Sequence, residues 1–174
     1  MLKRFFMVCG VAGLAVLEAA ALAILPWPMP MLRFSLIAVT NLVTSFRIGL
    51  AWSAALAAGL VLDLLMPWPP GCGTLGMLAV VAVLTPLTTR VLTHISLPSL
   101  VGINVIAFAV FNLTATAVRS ASDLLESGHP HFWPAGGFWL FGLALLTQTA
   151  LAALWQVVAR KVHRSLVSSF LVLR

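Results

Sequence analysis

The stretch Ile48-Gly49-Leu50-Ala51-Trp52-Ser53-Ala54-Ala55-Leu56-Ala57-Ala58-Gly59-Leu60-Val61-Leu62-Asp63-Leu64-Leu65-Met66, closed by Pro67-Trp68-Pro69-Pro70-Gly71-Cys72-Gly73, decides the fold class. Its apolar run carries one charge, and a helix crossing a bilayer core needs about 20 mostly apolar residues. The Pro/Gly cluster that follows cannot propagate a helix. The segment therefore predicts a membrane span ending in a loop. The rest of the chain agrees: of 174 residues, 61% are hydrophobic and 8% charged, against roughly 25% charged in soluble domains. Ten basic and four acidic side chains cannot cover a compact soluble protein. Soluble, disordered and collagen-like classes are excluded, and the length accommodates one bundle without a second sizeable domain.

Dividing the remainder at charges and Pro/Gly clusters predicts an all-α, polytopic helix bundle over residues 1–159, with six spans at 5–25, 31–46, 48–66, 74–89, 99–118 and 136–159. The second is short, and the alternative is five spans plus a re-entrant or strongly tilted segment. Pro26-Trp27-Pro28-Met29-Pro30 breaks the chain after the first span. Residues 119–134 form the one sizeable extramembrane loop. Six spans with a cytoplasmic N-terminus put Lys3, Arg4, Arg47, Arg90, Arg160, Lys161, Arg164 and Arg174 inside, and only Arg33 and Arg119 outside. That bias fixes both termini as cytoplasmic. Trp27, Trp68 and Trp133 then fall at outer span ends, at the depth amphipathic rings prefer. The basic residues are scattered over span ends and do not form the single face that nucleic-acid binding needs.

Lys3-Arg4, an apolar run and Ala19-Ala20-Ala21 also fit a signal peptide. The run is long enough to span, so a retained first helix is expected. Cys9 and Cys72 lie at opposite bilayer levels in this topology, too far apart for a disulfide, and Cys72 is expected as a spare thiol in an outer loop. The tail, residues 160–174, alternates cations with apolar residues. It reads either as a cytoplasmic amphipathic helix lying on anionic lipid or as a frayed continuation of the last span.

Charges inside the spans carry the functional question. Glu18 and Asp63 are acids within spans, and Arg33 is the nearest cation in sequence. Such groups face the bundle interior and pair. With Asn112 they define an expected outer-half polar cluster, to which Asn41 and Gln148 add polarity. It is either a ligand pocket or a clamp that fixes helix order; which acid Arg33 pairs with is open at this point. Ala51, Ala55 and Gly59 recur every four residues, a stripe that lets backbones approach, and Ala15, Ala19 and Ala23 make a second one.

The segment Gly59 to Asp63, continued by Pro70-Gly71, resembles the G-x-x-x-D…P-x-G segment of the rod shape-determining MreD family. Length and six-span hydropathy are similar to that family across nearly the whole chain. Pro70-Gly71-Cys72-Gly73 departs from the P-L-G often found there. The resemblance implies a non-enzymatic scaffold subunit of the bacterial cell-elongation complex in the cytoplasmic membrane. Its implied partners are membrane lipid, an MreC-like single-span protein, an MreB-like actin homologue, and a SEDS glycosyltransferase with its transpeptidase. Only Gly59, Asp63, Pro70 and Gly71 carry over, none catalytic. The family also resembles the substrate-binding S components of energy-coupling-factor transporters, and an S-component-like subunit is the alternative.

No H-E-x-x-H, G-x-S-x-G or P-loop motif is present, so neither an enzyme nor a cofactor is expected. His94 and His163 fall on the cytoplasmic side. His129 and His131 form a His-x-His pair outside, with only Asp123 or Glu126 to complete a metal site. Asp123-Leu124-Leu125-Glu126 predicts a separately capped short interfacial helix leading into Phe132 and Trp133.

Overall fold

The computed structural model describes residues 2–22, 33–91, 97–127, 139, 141–155 and 158. The Pro26–Pro30 break, Ala23, Trp27, His94, the segment from His129 to Trp133, His163 and the tail over 160–174 lie outside the described residues. Among the described residues all regular structure is helical. It comprises α1 (Leu2–Leu22), α2 (Phe34–Thr44), α3 (Ile48–Leu65), α4 (Cys72–Pro86), α5 (Leu97–Ser127) and α6 (Phe141–Trp155). Ile48–Leu65, Cys72–Arg90 and Pro98–Glu126 are long and apolar enough to cross a membrane, which makes this a membrane protein.

α3 lies at the centre, packed chiefly on α4 and α1. Its buried residues are Ala51, Ala54, Ala55, Ala58, Gly59 and Leu62. This i, i+3, i+4 pattern is wider than the expected Ala51/Ala55/Gly59 stripe because α3 meets more than one neighbour. Its bulky residues point the other way: Leu56, Leu60 and Leu64 are exposed. Small residues inside and leucines outside suit a lipid solvent, where van der Waals packing rather than water exclusion holds helices together. Ala15 is buried on α1, and Ala19 packs against the core.

Two glycine contacts set the spacing. A methyl group at Gly59 would lie 2.5 Å from Thr74 Cα, so α3 touches the backbone of α4. One at Gly76 would lie 2.9 Å from the Phe111 ring, which fixes α4 against α5.

α2 is shorter than the expected 31–46 span. Its 11 residues reach roughly 16 Å, too little to cross a bilayer core, and eight of them are buried. The helix begins beside Arg33, where tertiary partners are available for its first N–H groups. It ends in a Schellman motif: Phe46 N donates to Val43 O at 2.9 Å and Arg47 N to Leu42 O at 3.1 Å. Phe46 has φ 56° at the position usually given to glycine, and α3 begins two residues later.

α5 continues to Ser127. Residues 119–127 are therefore its last turns, not part of a loop, and Asp123 to Glu126 is not a separately capped helix. The chain has no Pro or Gly between Gly102 and Gly128, so nothing stops propagation. α4 starts at Cys72, two residues before the expected 74, which makes Cys72 a buried helical residue rather than a loop thiol. Pro86 lies within α4 and a π-helical turn, Leu87–Val91, follows it. Proline removes a ladder donor there, and the Thr85 and Thr88 hydroxyls bond to Val81 O and Leu84 O at 2.7 and 2.9 Å.

Gly59→Ala is expected to destabilise the purified protein by about 1–3 kcal/mol, the usual overpacking cost. Gly13→Ala, which meets only open space, should be neutral or stabilising. Thermal midpoints of the two variants in the same detergent check this.

Candidate functional site

The buried polar interior is built around the start of α2. Glu18 is 1% exposed. Its Oε1 accepts a hydrogen bond from Arg33 Nη1 at 2.8 Å in a buried ion pair. Its Oε2 accepts from the Ser35 backbone N at 3.1 Å and from Ser35 Oγ at 2.7 Å. One carboxylate thus neutralises the arginine and takes up an orphan N–H in the first turn of α2. A negative charge at a helix N-terminus also suits the helix dipole.

α6 contributes the second set of bonds. Gln148 Oε1 accepts from Arg33 N at 2.8 Å, and Gln148 Nε2 donates to Arg33 O at 2.9 Å. The amide therefore pairs with both backbone groups of Arg33. Gln148 is buried with Ala144 and Ala152 on one face of α6. The Arg33 guanidinium lies 4.6 Å from the centre of the Trp68 ring and 5.6 Å from that of Phe111. Arg119 lies 4.2 Å from the same Trp68 ring, so the loop after α3 and the last third of α5 both close on this region. Trp68, placed by sequence at the headgroup level, is half-buried against the core.

Asp63 has different work. Its Oδ1 accepts from Gly73 N at 2.5 Å; its Oδ2 accepts from Thr74 N at 3.0 Å and Thr74 Oγ at 2.5 Å. Gly71, the N-cap residue of α4, has φ 93° and no side-chain cap of its own. The last turn of α3 thus caps α4 across the loop. Gly73 also has no room for a side chain: a methyl there would lie 2.9 Å from Asp63 Oδ1 and from Gly59 O. Pro70 is exposed at the tip of this corner.

The structure therefore joins Glu18 and Arg33, answering which acid the arginine pairs with. It does not bring Asp63 or Asn112 into that pair. Asn112 Nδ2 donates to Phe108 O, one turn back on its own helix, at 2.8 Å, the ordinary i−4 bond of a polar residue in an apolar helix. The residues sequence reasoning missed are Ser35, Gly73 and Thr74. Each lies at the start of a helix that follows a break, where an acid on a preceding helix can serve as cap. Thr40 and Asn104 form a further inter-helix bond at 3.0 Å between α2 and α5.

Among the described residues no group of three His, Cys, Asp or Glu side chains is gathered as metal ligands would be. Both cysteines are free thiols, Cys9 exposed and Cys72 buried. The arrangement defines a bundle of apolar helices in which two acids, Glu18 on α1 and Asp63 on α3, each hold the start of another helix. Compared with family models, curated proteins and solved structures, the chain matches none.

Removing one member of a buried ion pair leaves an uncompensated charge, at a cost of about 3–5 kcal/mol. Glu18→Gln and Arg33→Met should each show such a loss, and the double variant should lose less than the sum. A double-mutant cycle on thermal or denaturant unfolding measures that coupling. Asp63→Ala should cost about 0.5–2 kcal/mol, the range for a lost N-cap, and should be additive with Glu18→Gln.

Proposed function

We propose that the chain is a non-enzymatic scaffold subunit of the bacterial cell-elongation complex, of the kind the MreD resemblance implies. On this reading it is a multi-pass protein of the cytoplasmic membrane with both termini cytoplasmic. Its partners are an MreC-like single-span protein, an MreB-like actin homologue, and a SEDS glycosyltransferase with its transpeptidase. The observation that carries the proposal is the work done by the resembling segment. Gly59 admits the α4 backbone, Asp63 caps α4, and Gly71 takes the positive φ between them. The motif residues build a rigid corner between two central helices, which is what a scaffold needs from residues of these types. Glu18 supports the same reading, since both its oxygens are engaged by protein groups.

Depletion in a rod-shaped host, with cell shape followed by microscopy, tests the proposal. Rounding of the cells together with co-purification of an MreC-like protein is expected. Normal rod shape after full depletion would overturn it, and vitamin-dependent thermal stabilisation of the purified protein would favour the S-component-like alternative.

A further inference from the structure

At the opposite end of the bundle from Glu18 and Asp63, the N-terminal part of α1 and the corner between α2 and α3 enclose a half-open cavity of about 810 Å³. Arg4 and Arg47 are its charged lining, and Phe5, Val8, Phe46 and Ile48 supply apolar wall. We propose that this cavity binds an anionic phospholipid, with the phosphate between Arg4 and Arg47 and an acyl chain along the apolar wall. The inference rests on the chain being a membrane protein and is independent of the scaffold reading.

Three observations carry it. The first is charge. The chain has four acidic side chains, and none is at this end. Glu18 and Asp63 are engaged at the other end, by Arg33 and Ser35 and by α4. Asp123 and Glu126 lie in the last turns of α5, which runs antiparallel to α4 and so ends on the Asp63 side, where Arg119 meets Trp68. Arg4 and Arg47 therefore have no acidic side chain at their own end. Guanidinium groups recognise phosphate by paired hydrogen bonds.

The second is the mixed lining. The volume falls within the range of small-molecule sites. Phe5, Phe46 and Met7 are exposed large apolar residues around it, and the Arg47 guanidinium leans on Met7, Nη1 to Sδ 3.5 Å. A free inorganic anion would leave that apolar wall unused, whereas an amphiphile matches both parts. The third is the backbone. Phe46 holds φ 56° at the end of α2, a conformation unusual for a residue other than glycine. That turn, which ends α2, sets Phe46 and Arg47 side by side in the lining of the cavity.

The test uses the full-length chain in nonionic detergent. It is titrated with phosphatidylglycerol, phosphatidylcholine or inorganic phosphate, and retained lipid is counted by native mass spectrometry. Phosphatidylglycerol is expected to be retained at least ten-fold more than phosphatidylcholine and not to be displaced by millimolar phosphate. The Arg4→Gln/Arg47→Gln variant should lose that preference, while Arg90→Gln, at an exposed arginine outside the cavity, should keep it. Gly49 lines the cavity and has open space beside it, so Gly49→Leu should fill the site and reduce retention with both arginines intact. Equal loss in Arg90→Gln, displacement by inorganic phosphate, or unchanged retention in both Arg4→Gln/Arg47→Gln and Gly49→Leu would each overturn the proposal.

Discussion

A helix that begins against a packed protein interior has up to four N–H groups that need partners other than water. The structure meets that constraint twice with an acid borrowed from a preceding helix. Glu18 on α1 receives the first turn of α2, and Asp63 at the end of α3 receives the first turn of α4. Burying a carboxylate is unfavourable unless hydrogen bonds and counter-charge compensate it. Here Arg33 supplies the counter-charge for Glu18, and backbone N–H groups with the Thr74 hydroxyl surround Asp63. Three of the fourteen charged side chains, Glu18, Arg33 and Asp63, thus act where helices start.

Packing follows from those two anchors. Once Asp63 fixes the first turn of α4, Gly59 and Gly73 let the two helices meet at backbone distance, and Gly76 seats the Phe111 ring of α5. Once Glu18 and Gln148 fix Arg33, α1, α2 and α6 share one polar junction. Phe141 of α6 then lies 5.6 Å, ring to ring, from Phe108 of α5. Leucines that would form the core of a soluble protein instead point outward along α3.

Much of this was legible in the sequence, because apolar runs and Pro/Gly breaks act locally. The expected 48–66 span differs by one residue from Ile48–Leu65, and Gly59 with Asp63 stood out by spacing and by the loop that follows. The misreadings have a common cause. Sequence gives the depth of a polar residue but not the direction of its side chain. Depth alone groups Asp63 with Arg33, yet its carboxylate reaches across the loop to α4. Asn112 turned back to its own helix. Residues 119–127 looked like a loop because they are polar, although nothing in them breaks a helix. α2 looked like a span because it is apolar, but its length is set by the capped start at Arg33 and the Phe46 turn.

The central claim is that Glu18 and Asp63 are both helix caps. Residue-resolved amide hydrogen exchange on the full-length protein in detergent, native against Asp63→Ala and Glu18→Gln, tests it most directly. The account predicts that Asp63→Ala lowers protection at Gly73 and Thr74 while Ser35 keeps its own, and that Glu18→Gln does the reverse. Unchanged protection at Gly73 and Thr74 in a folded Asp63→Ala protein, or equal loss at all three amides in both variants, would contradict it.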